Sequence, residues 1–453
     1  MPCCLVHRAL TPSRGAEIIA LRLVVCAAPQ GQEGTTRETG DAPPAGLASV
    51  PSDAARAGYK AASRYRWVVL GCLMAGNTVF TLVGLSLGIL LPSIVAELQL
   101  SPLEAGWLGA AFRLGNILLA LPIGYLLSQH NPRLVMIATL LGAALFTFGQ
   151  AVAPFFGALL AARLLFGVAQ TARSPGRALY LVQWFPGGQI VVANGLFIAA
   201  TGIAEAGTLG LTPFILQALG SWRLTMAVFG AYILVVTLLF ILLARQRVTR
   251  SYQDALASQR ELSVWSIFRY RDLWLAGLGG FGASFGWWAL ATFWPTYMKD
   301  VYSMPLTLSG FLYGLISLGM TAAALAVGWT ASSSGRRRAV VVACGGLMTI
   351  GSLGLLATSF VPLLVLSAAM AGLAWGFVPI NQSVAYQIPG IKPRETAVGA
   401  SFVSTLFMAG GAAGPFVAGA LYQVSGSLQL ALVICALAPL GLTITGLLQE
   451  RRR

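Results

Sequence analysis

The chain has 453 residues, of which 57% are hydrophobic and 9% charged, with a formal net charge of +15. Soluble globular proteins carry about 25% charged residues, so this composition excludes a set of water-soluble domains and points to a polytopic membrane protein. A nucleic-acid partner would need one contiguous basic face, which the sequence lacks, so none is expected.

Residues 1–60 hold Gly, Pro, Ala, Ser and scattered charges without sustained periodicity and read as a disordered tail. Within it, 17–28 (EIIALRLVVCAA) loosely resembles a signal peptide, but Arg22 interrupts the apolar run and no clean cleavage pattern follows. Beyond the tail, twelve apolar blocks follow in order: 67–95, 103–127, 134–153, 155–181, 190–213, 222–244, 272–298, 306–330, 339–359, 361–388, 396–422 and 428–447. A spanning helix needs about 20 apolar residues, because the oily core is about 30 Å thick and each residue rises about 1.5 Å. Backbone polar groups must be paired inside lipid, so such blocks are helices rather than barrel strands. The expected fold is an all-α membrane protein with 12 transmembrane helices.

Lys and Arg set the orientation. With both termini cytoplasmic, nineteen fall on inner segments and two, Arg223 and Lys299, on outer loops. The basic excess is therefore a membrane-orientation signal. No disulfide or zinc spacing appears among the cysteines, and His7 and His130 are far apart, so no metal or other cofactor is expected.

The blocks divide into parallel six-helix repeats, 61–244 and 272–447, joined by a cytoplasmic linker at 245–271 and followed by a basic tail at 448–453. Pro92-x4-Glu97-x4-Pro102 is echoed by Pro295-x4-Asp300-x4-Pro305. At a displacement of 204 residues, Gly106, Gly124, Gly195, Gly207 and Gly210 match Gly310, Gly328, Gly399, Gly411 and Gly414. Parallel repeats of this kind place a central path between two bundles.

Residues 61–447 resemble the major facilitator superfamily. The family's loop between helices 2 and 3 reads Gly-x-Leu-x-Asp-(Arg/Lys)-x-Gly-x-(Arg/Lys). Here its two copies read GYLLSQHNPR (Gly124, Ser128, Arg133) and GWTASSSGRR (Gly328, Ser332, Gly335, Arg337). Both replace the Asp with Ser, which puts a salt-bridge gate in doubt and leaves a serine hydrogen bond to serve. RLLFG at 163–167, WFP at 184–186, SWR at 221–223 and GGAAGP at 410–415 add to the likeness. The first half also resembles anion-transporting branches, although the Arg they carry late in helix 1 is replaced near Gly84. The resemblance implies that helices 1, 4, 7 and 10 line the path.

Charges inside oil are costly and so mark function or pairing. Arg113 in span 2 is read as attracting an anionic substrate and Glu205 in span 5 as carrying a coupling proton; a buried ion pair between them is the alternative. Helix 4 carries Arg163, Gln170 and Arg177 at i, i+7 and i+14, one face of a helix, with Arg173 beside them. Arg173 and Arg177 are read first as positive-inside anchors, and Arg163 as either a packing or a substrate residue. Asn77 with Thr81 in helix 1, Ser284 with Trp288 in helix 7, and Asn381 with Gln382 in helix 10 complete the candidate substrate site. Trp287, Trp294 and Tyr297 are read as packing. The glycines of spans 5 and 11 are read as surfaces on which the halves rock, or else as tight static packing.

The expected function is secondary active transport of a small solute, an organic or inorganic anion, by alternating access coupled to H⁺, in a monomer spanning the plasma membrane. No Gly-x4-Gly-Lys-Ser/Thr loop is present, so the energy source is a gradient. A drug or metabolite efflux antiporter is the alternative. Behind both stand a non-transporting sensor, which the altered gate loops allow but no appended soluble signalling domain supports, and a membrane-embedded enzyme, for which no His, Asp or Cys cluster is found.

Overall fold

The computed structural model describes residues 53–118, 131–185, 187–245, 265–330, 334–388 and 393–449, and 58–453 form one compact unit. The tail expected at 1–60 falls almost wholly outside the described residues, as does most of the linker. Among the described residues there are helices and no strands. The first half contains α1 (Asp53–Leu98), α2 (Pro102–Leu118), α3 (Pro132–Val152), α4 (Phe156–Ala169), α5 (Arg173–Trp184), α6 (Gly187–Leu219) and α7 (Trp222–Leu243). The second contains α8 (Arg271–Tyr302), α9 (Leu306–Thr330), α10 (Ser334–Ala357), α11 (Val361–Leu373), α12 (Phe377–Ser383), α13 (Pro393–Ser425), α14 (Leu428–Leu437) and α15 (Leu440–Leu448).

Among the described residues, nine helical stretches are long and apolar enough to cross a bilayer. Three of the twelve expected blocks fall outside that set. Helix α2 is described only to Leu118, α4 and α5 are separated by a 3₁₀ turn and carry three arginines, and α8 is rich in Gly and Trp. The outward face of α7 (Leu234, Val235, Leu238, Leu242) is exposed and apolar, as a surface bathed in lipid requires.

Local chemistry sets the corners. Ser101 and Glu104 form a capping box at the start of α2: Ser101 N–H donates to Glu104 Oε2 at 2.8 Å, and Glu104 N–H donates to Ser101 Oγ at 3.3 Å. Asn131 caps α3, Ser221 caps α7 and Ser427 caps α14.

These corners also show the repeat and correct its ruler. Gln99 and Ser303, 204 residues apart, both take left-handed φ values, 52° and 53°. The helix breaks at Gln170–Ala172 and Ala374–Gly376 keep the same spacing. Gly220 and Gly426, each followed by its Ser cap, are also left-handed, at φ 64° and 67°, but stand 206 residues apart. The second copy thus gains two residues between its helix break and this corner, a stretch that includes the 388–393 connection. Two residues turn a helix by about 200°.

That rotation overturns three of the glycine matches read at a displacement of 204. A methyl added to Gly195, Gly207 or Gly210 would meet nothing within 4 Å, whereas one on Gly414 would lie 2.1 Å from Phe285 O and one on Gly411 2.9 Å from the Trp288 ring. Helix α13 is thus packed tightly on α8. The residues of α6 that correspond to Gly411 and Gly414 are Glu205 and Thr208.

The two copies meet through α2 on α13 and α6 on α9. Gly106 lies under Pro415 and Gly419, and Gly310 under Leu209 and Pro213. Added methyls there would sit 2.7 Å and 2.2 Å from carbonyl oxygens, so only Gly permits the approach. Together with Gly88 on Ala291 and Gly109 on Pro415, these crossings pack the copies together from about the level of Arg113 to the end bearing the Gln99 and Gly220 turns.

Candidate functional site

Arg113 lies halfway along the span begun by α2 and is 6% exposed. Its guanidinium carbon stands 3.8 Å from the ring centroid of Trp288 on α8, with Phe80 and Phe112 at 5.3 and 5.5 Å. Its Nη1 approaches Met408 Sδ of α13 at 3.9 Å. A first-half arginine therefore rests on second-half groups. Stacking on an aromatic face stabilises a desolvated cation and leaves its in-plane N–H groups for other acceptors.

Arg173 enters from α5. It hydrogen-bonds Asn77 Oδ1, and Asn77 Nδ2 donates to Thr201 Oγ1 of α6 at 2.8 Å. Its guanidinium stacks 4.0 Å from the Phe80 centroid. One turn on, Arg177 stacks 4.2 Å from the centroid of Phe197. The Nε atoms of Arg113, Arg173 and Arg177 are buried without a hydrogen-bond partner among the described residues.

Glu205 is half-buried on α6, beside Ser317 of α9 and coupled electrostatically to Arg113 and Arg173. Among the described residues the salt bridges are Arg223–Glu97 and Arg269–Glu395, so the ion pair between Arg113 and Glu205 is not formed. The charge they share acts through space, and the centre holds more positive than negative charge.

The structure thus brings together Arg113, Trp288, Asn77 and Glu205 of the residues expected from sequence. Asn381 is buried, 7% exposed, beside Gly280 of α8 and Phe407 of α13. Gln382, about 100° further round, is exposed and is not placed with the cluster. Gln170 lies buried in the helix break, and neither of its amide atoms has a partner among the described residues. Ser284 is buried with its hydroxyl equally unpartnered among the described residues.

Arg163 proves to be a packing residue. Its guanidinium donates to Leu108 O at 2.7 Å, Gln150 Oε1 at 3.2 Å, and Val83 O and Gly84 O at 3.3 Å each, tying the helices of spans 1 to 4. Trp294 and Tyr297 are likewise committed to the carbonyls of Leu355 and Leu356, and Trp287 stacks on Tyr313 at 4.8 Å.

Of the gating-loop residues, Gly124, Ser128 and Ser332 lie outside the described residues. Gly328 ends up in the last turn of α9 and Gly335 in the first turn of α10. Arg133 donates to Ile241 O at 2.6 Å, closing the end of α7. In the second copy Arg338 makes this bond, reaching Leu447 O at 2.5 Å and Gly446 O at 3.2 Å. These arginines satisfy carbonyls that a helix end leaves unpaired.

The sequence model of the Major Facilitator Superfamily matches residues 67–415 and 276–453. The chain belongs to the Major Facilitator Superfamily. It is 24% identical over 258 residues to the "Galacturonate transporter" of Dickeya chrysanthemi, covering 53% of this chain and 74% of that protein. It is 25% identical over 382 residues to the "Probable L-galactonate transporter" of Escherichia coli (strain K12), covering 76% and 80%. Among solved structures it is similar to the nucleoside transporter NupG, with a TM-score of 0.70 at 13% identity over 86% of this chain and 100% of that one. As a superfamily member it is a multi-pass membrane transporter of a small solute and not an enzyme.

Within this superfamily member, sequence reasoning missed Phe80, Ser317 and Met408, which look like ordinary core residues until the helices are assembled. It also placed Arg173 with the membrane anchors. The available signal was its position one turn before Arg177, on the helix that carries Gln170.

Proposed function

We propose that the protein is a secondary active transporter of small organic anions, working by alternating access and coupled to protons, in the plasma membrane with both termini cytoplasmic. The observation that carries this reading is Arg113: a buried cation at the junction of the copies, held by ring faces and a thioether instead of a carboxylate. Such a cation is completed by an incoming anion. Trp288 and Met408 tie it to the second half, so an anion that draws it away also alters the contact between halves. The close packing on the Gln99 and Gly220 side supports reading this state as closed there. The relatives named for galacturonate and L-galactonate support a carboxylate cargo.

Glu205 is the proposed proton site. It faces the same two arginines, so a bound anion and an ionised Glu205 compete for them. Loading the anion together with a proton keeps the local charge in balance and couples the two fluxes.

The test is flux in proteoliposomes with a panel of D-galacturonate, L-galactonate and uridine, with and without a pH gradient. Uptake of the acids, driven by an inward proton gradient, is expected. Arg113→Ala should lower it at least tenfold, the loss of about 1.4 kcal/mol or more of anion binding. Glu205→Gln should remove the gradient dependence while retaining anion exchange. Uptake of uridine alone, or unaltered acid flux in both variants, would refute the assignment.

A further inference from the structure

The reading of Arg113 leaves Arg173 and Arg177 with structure that anchoring does not explain. An anchoring arginine extends its head toward water or headgroups. These two lay their guanidiniums on Phe80 and Phe197, 4.0 and 4.2 Å from the centroids, much as Arg113 lies on Trp288. Each of the three has a buried Nε donor without a partner among the described residues. Exposure rises along the series, from Arg113, which is buried, to Arg173 and Arg177, which are partly exposed. The charges also couple in order: Arg113 to Arg173, and Arg173 to Arg177. Glu205 acts on the first two only. Arg177 is therefore a cation with no acid beside it among the described residues, about 6 Å further along α5. That helix runs from its break toward the end where Trp184 bonds Arg245 O. The opposite end is the one packed shut by the Gly106 and Gly310 crossings.

We propose that Arg173 and Arg177 form a second anion-binding step, a relay between the arginine-rich end and Arg113 that receives small carboxylates on their way to or from the centre. Arg173 gives its Nη1 to Asn77, but the Nε–Nη2 edge of each stacked guanidinium carries no hydrogen bond among the described residues and can bind a carboxylate by two parallel N–H bonds. An anion moving inward exchanges one such edge for the next and is never left unpaired. The relay rests on the anion reading of the centre, and its test separates the two.

The probe is radiolabelled D-galacturonate, measured as equilibrium binding to the purified full chain and as entry into vesicles of both orientations, at low and high salt. In Arg177→Gln, Vmax/KM for entry from the arginine-rich side should fall about tenfold, the scale of electrostatic steering, and its salt dependence should flatten. Equilibrium binding should change less than about twofold, which also reports an intact fold. Arg177→Lys keeps the charge and should retain most of the rate. If Arg177→Gln leaves rate and salt dependence unaltered while Arg113→Ala abolishes binding, the relay is refuted and the anion centre stands. If Arg177→Gln abolishes binding, Arg177 belongs to the centre or the fold, and the relay is again refuted. If the unaltered protein neither binds nor carries D-galacturonate, both proposals fall.

Discussion

Gly414→Ala and Gly210→Ala test the register of the two copies. Aligned at a constant 204 residues, these glycines are equivalent and their substitutions should behave alike. In the structure they are not. A methyl on Gly414 would stand 2.1 Å from Phe285 O and 3.0 Å from Phe285 C, where no side-chain rotation can relieve it. Real Cβ contacts essentially never fall below 3.0 Å, so α13 must retreat from α8 by nearly an ångström at its closest packing. Overpacking of this kind costs about 1–3 kcal/mol, against which Ala returns about 1 kcal/mol of helix propensity. Gly210→Ala meets nothing within 4 Å, so only the propensity gain of about 1 kcal/mol remains. The assay is thermal unfolding of the purified protein followed by tryptophan fluorescence. Gly414→Ala should melt lower by about 1–2 °C, the shift that a net loss of about 1–2 kcal/mol gives in a chain of this length, and Gly210→Ala at or above the parent. Equal losses in both variants would refute the register argument, as would a loss confined to Gly210→Ala.

Arg163→Ala should destabilise the protein by about 3–5 kcal/mol, since it strands Gln150 and empties a crossing of four spans. Arg163→Met, which fills the space without a buried charge, should lose less than half as much in the same melt; reversal of that order would show that the charge itself is required. At the arginine-rich end, Glu395 is buried and accepts from Tyr270 Oη at 2.7 Å and Arg269 Nη2 at 3.3 Å, while Arg269 is largely exposed. Glu395→Ala should therefore cost about 1–3 kcal/mol and Arg269→Ala less than about 1 kcal/mol, measured by denaturant unfolding of the two variants.

Much of this architecture is legible in the chain because lipid imposes simple rules. Apolar length marks the blocks, and Pro, Gly and Ser mark their corners. Arg113 and Glu205 stand out for the same reason, as rare charges inside oil. What the sequence hides is rotation. Gln382 looks as good a ligand as Asn381 until the turn of α12 separates them. Arg163, Arg173 and Arg177 share one type and nearly one stripe, yet the first is consumed by four oxygens and the others keep Nε donors without a partner among the described residues. That difference depends on what neighbouring helices offer, which no local pattern contains.

The two-residue gain in the second copy changes what a transplant between the copies would do. A graft made with the 204-residue ruler would carry α13 side chains onto the lipid-facing side of α6, and would put the methyl of Ala409 where Glu205 now stands. An engineer seeking a twofold-symmetric version must first shorten the later copy within the stretch that includes the 388–393 connection. Even then Glu205 would have no ready twin: its counterpart is Gly411, and an acid there would have to displace the Trp288 ring, which stands 2.9 Å from an added methyl.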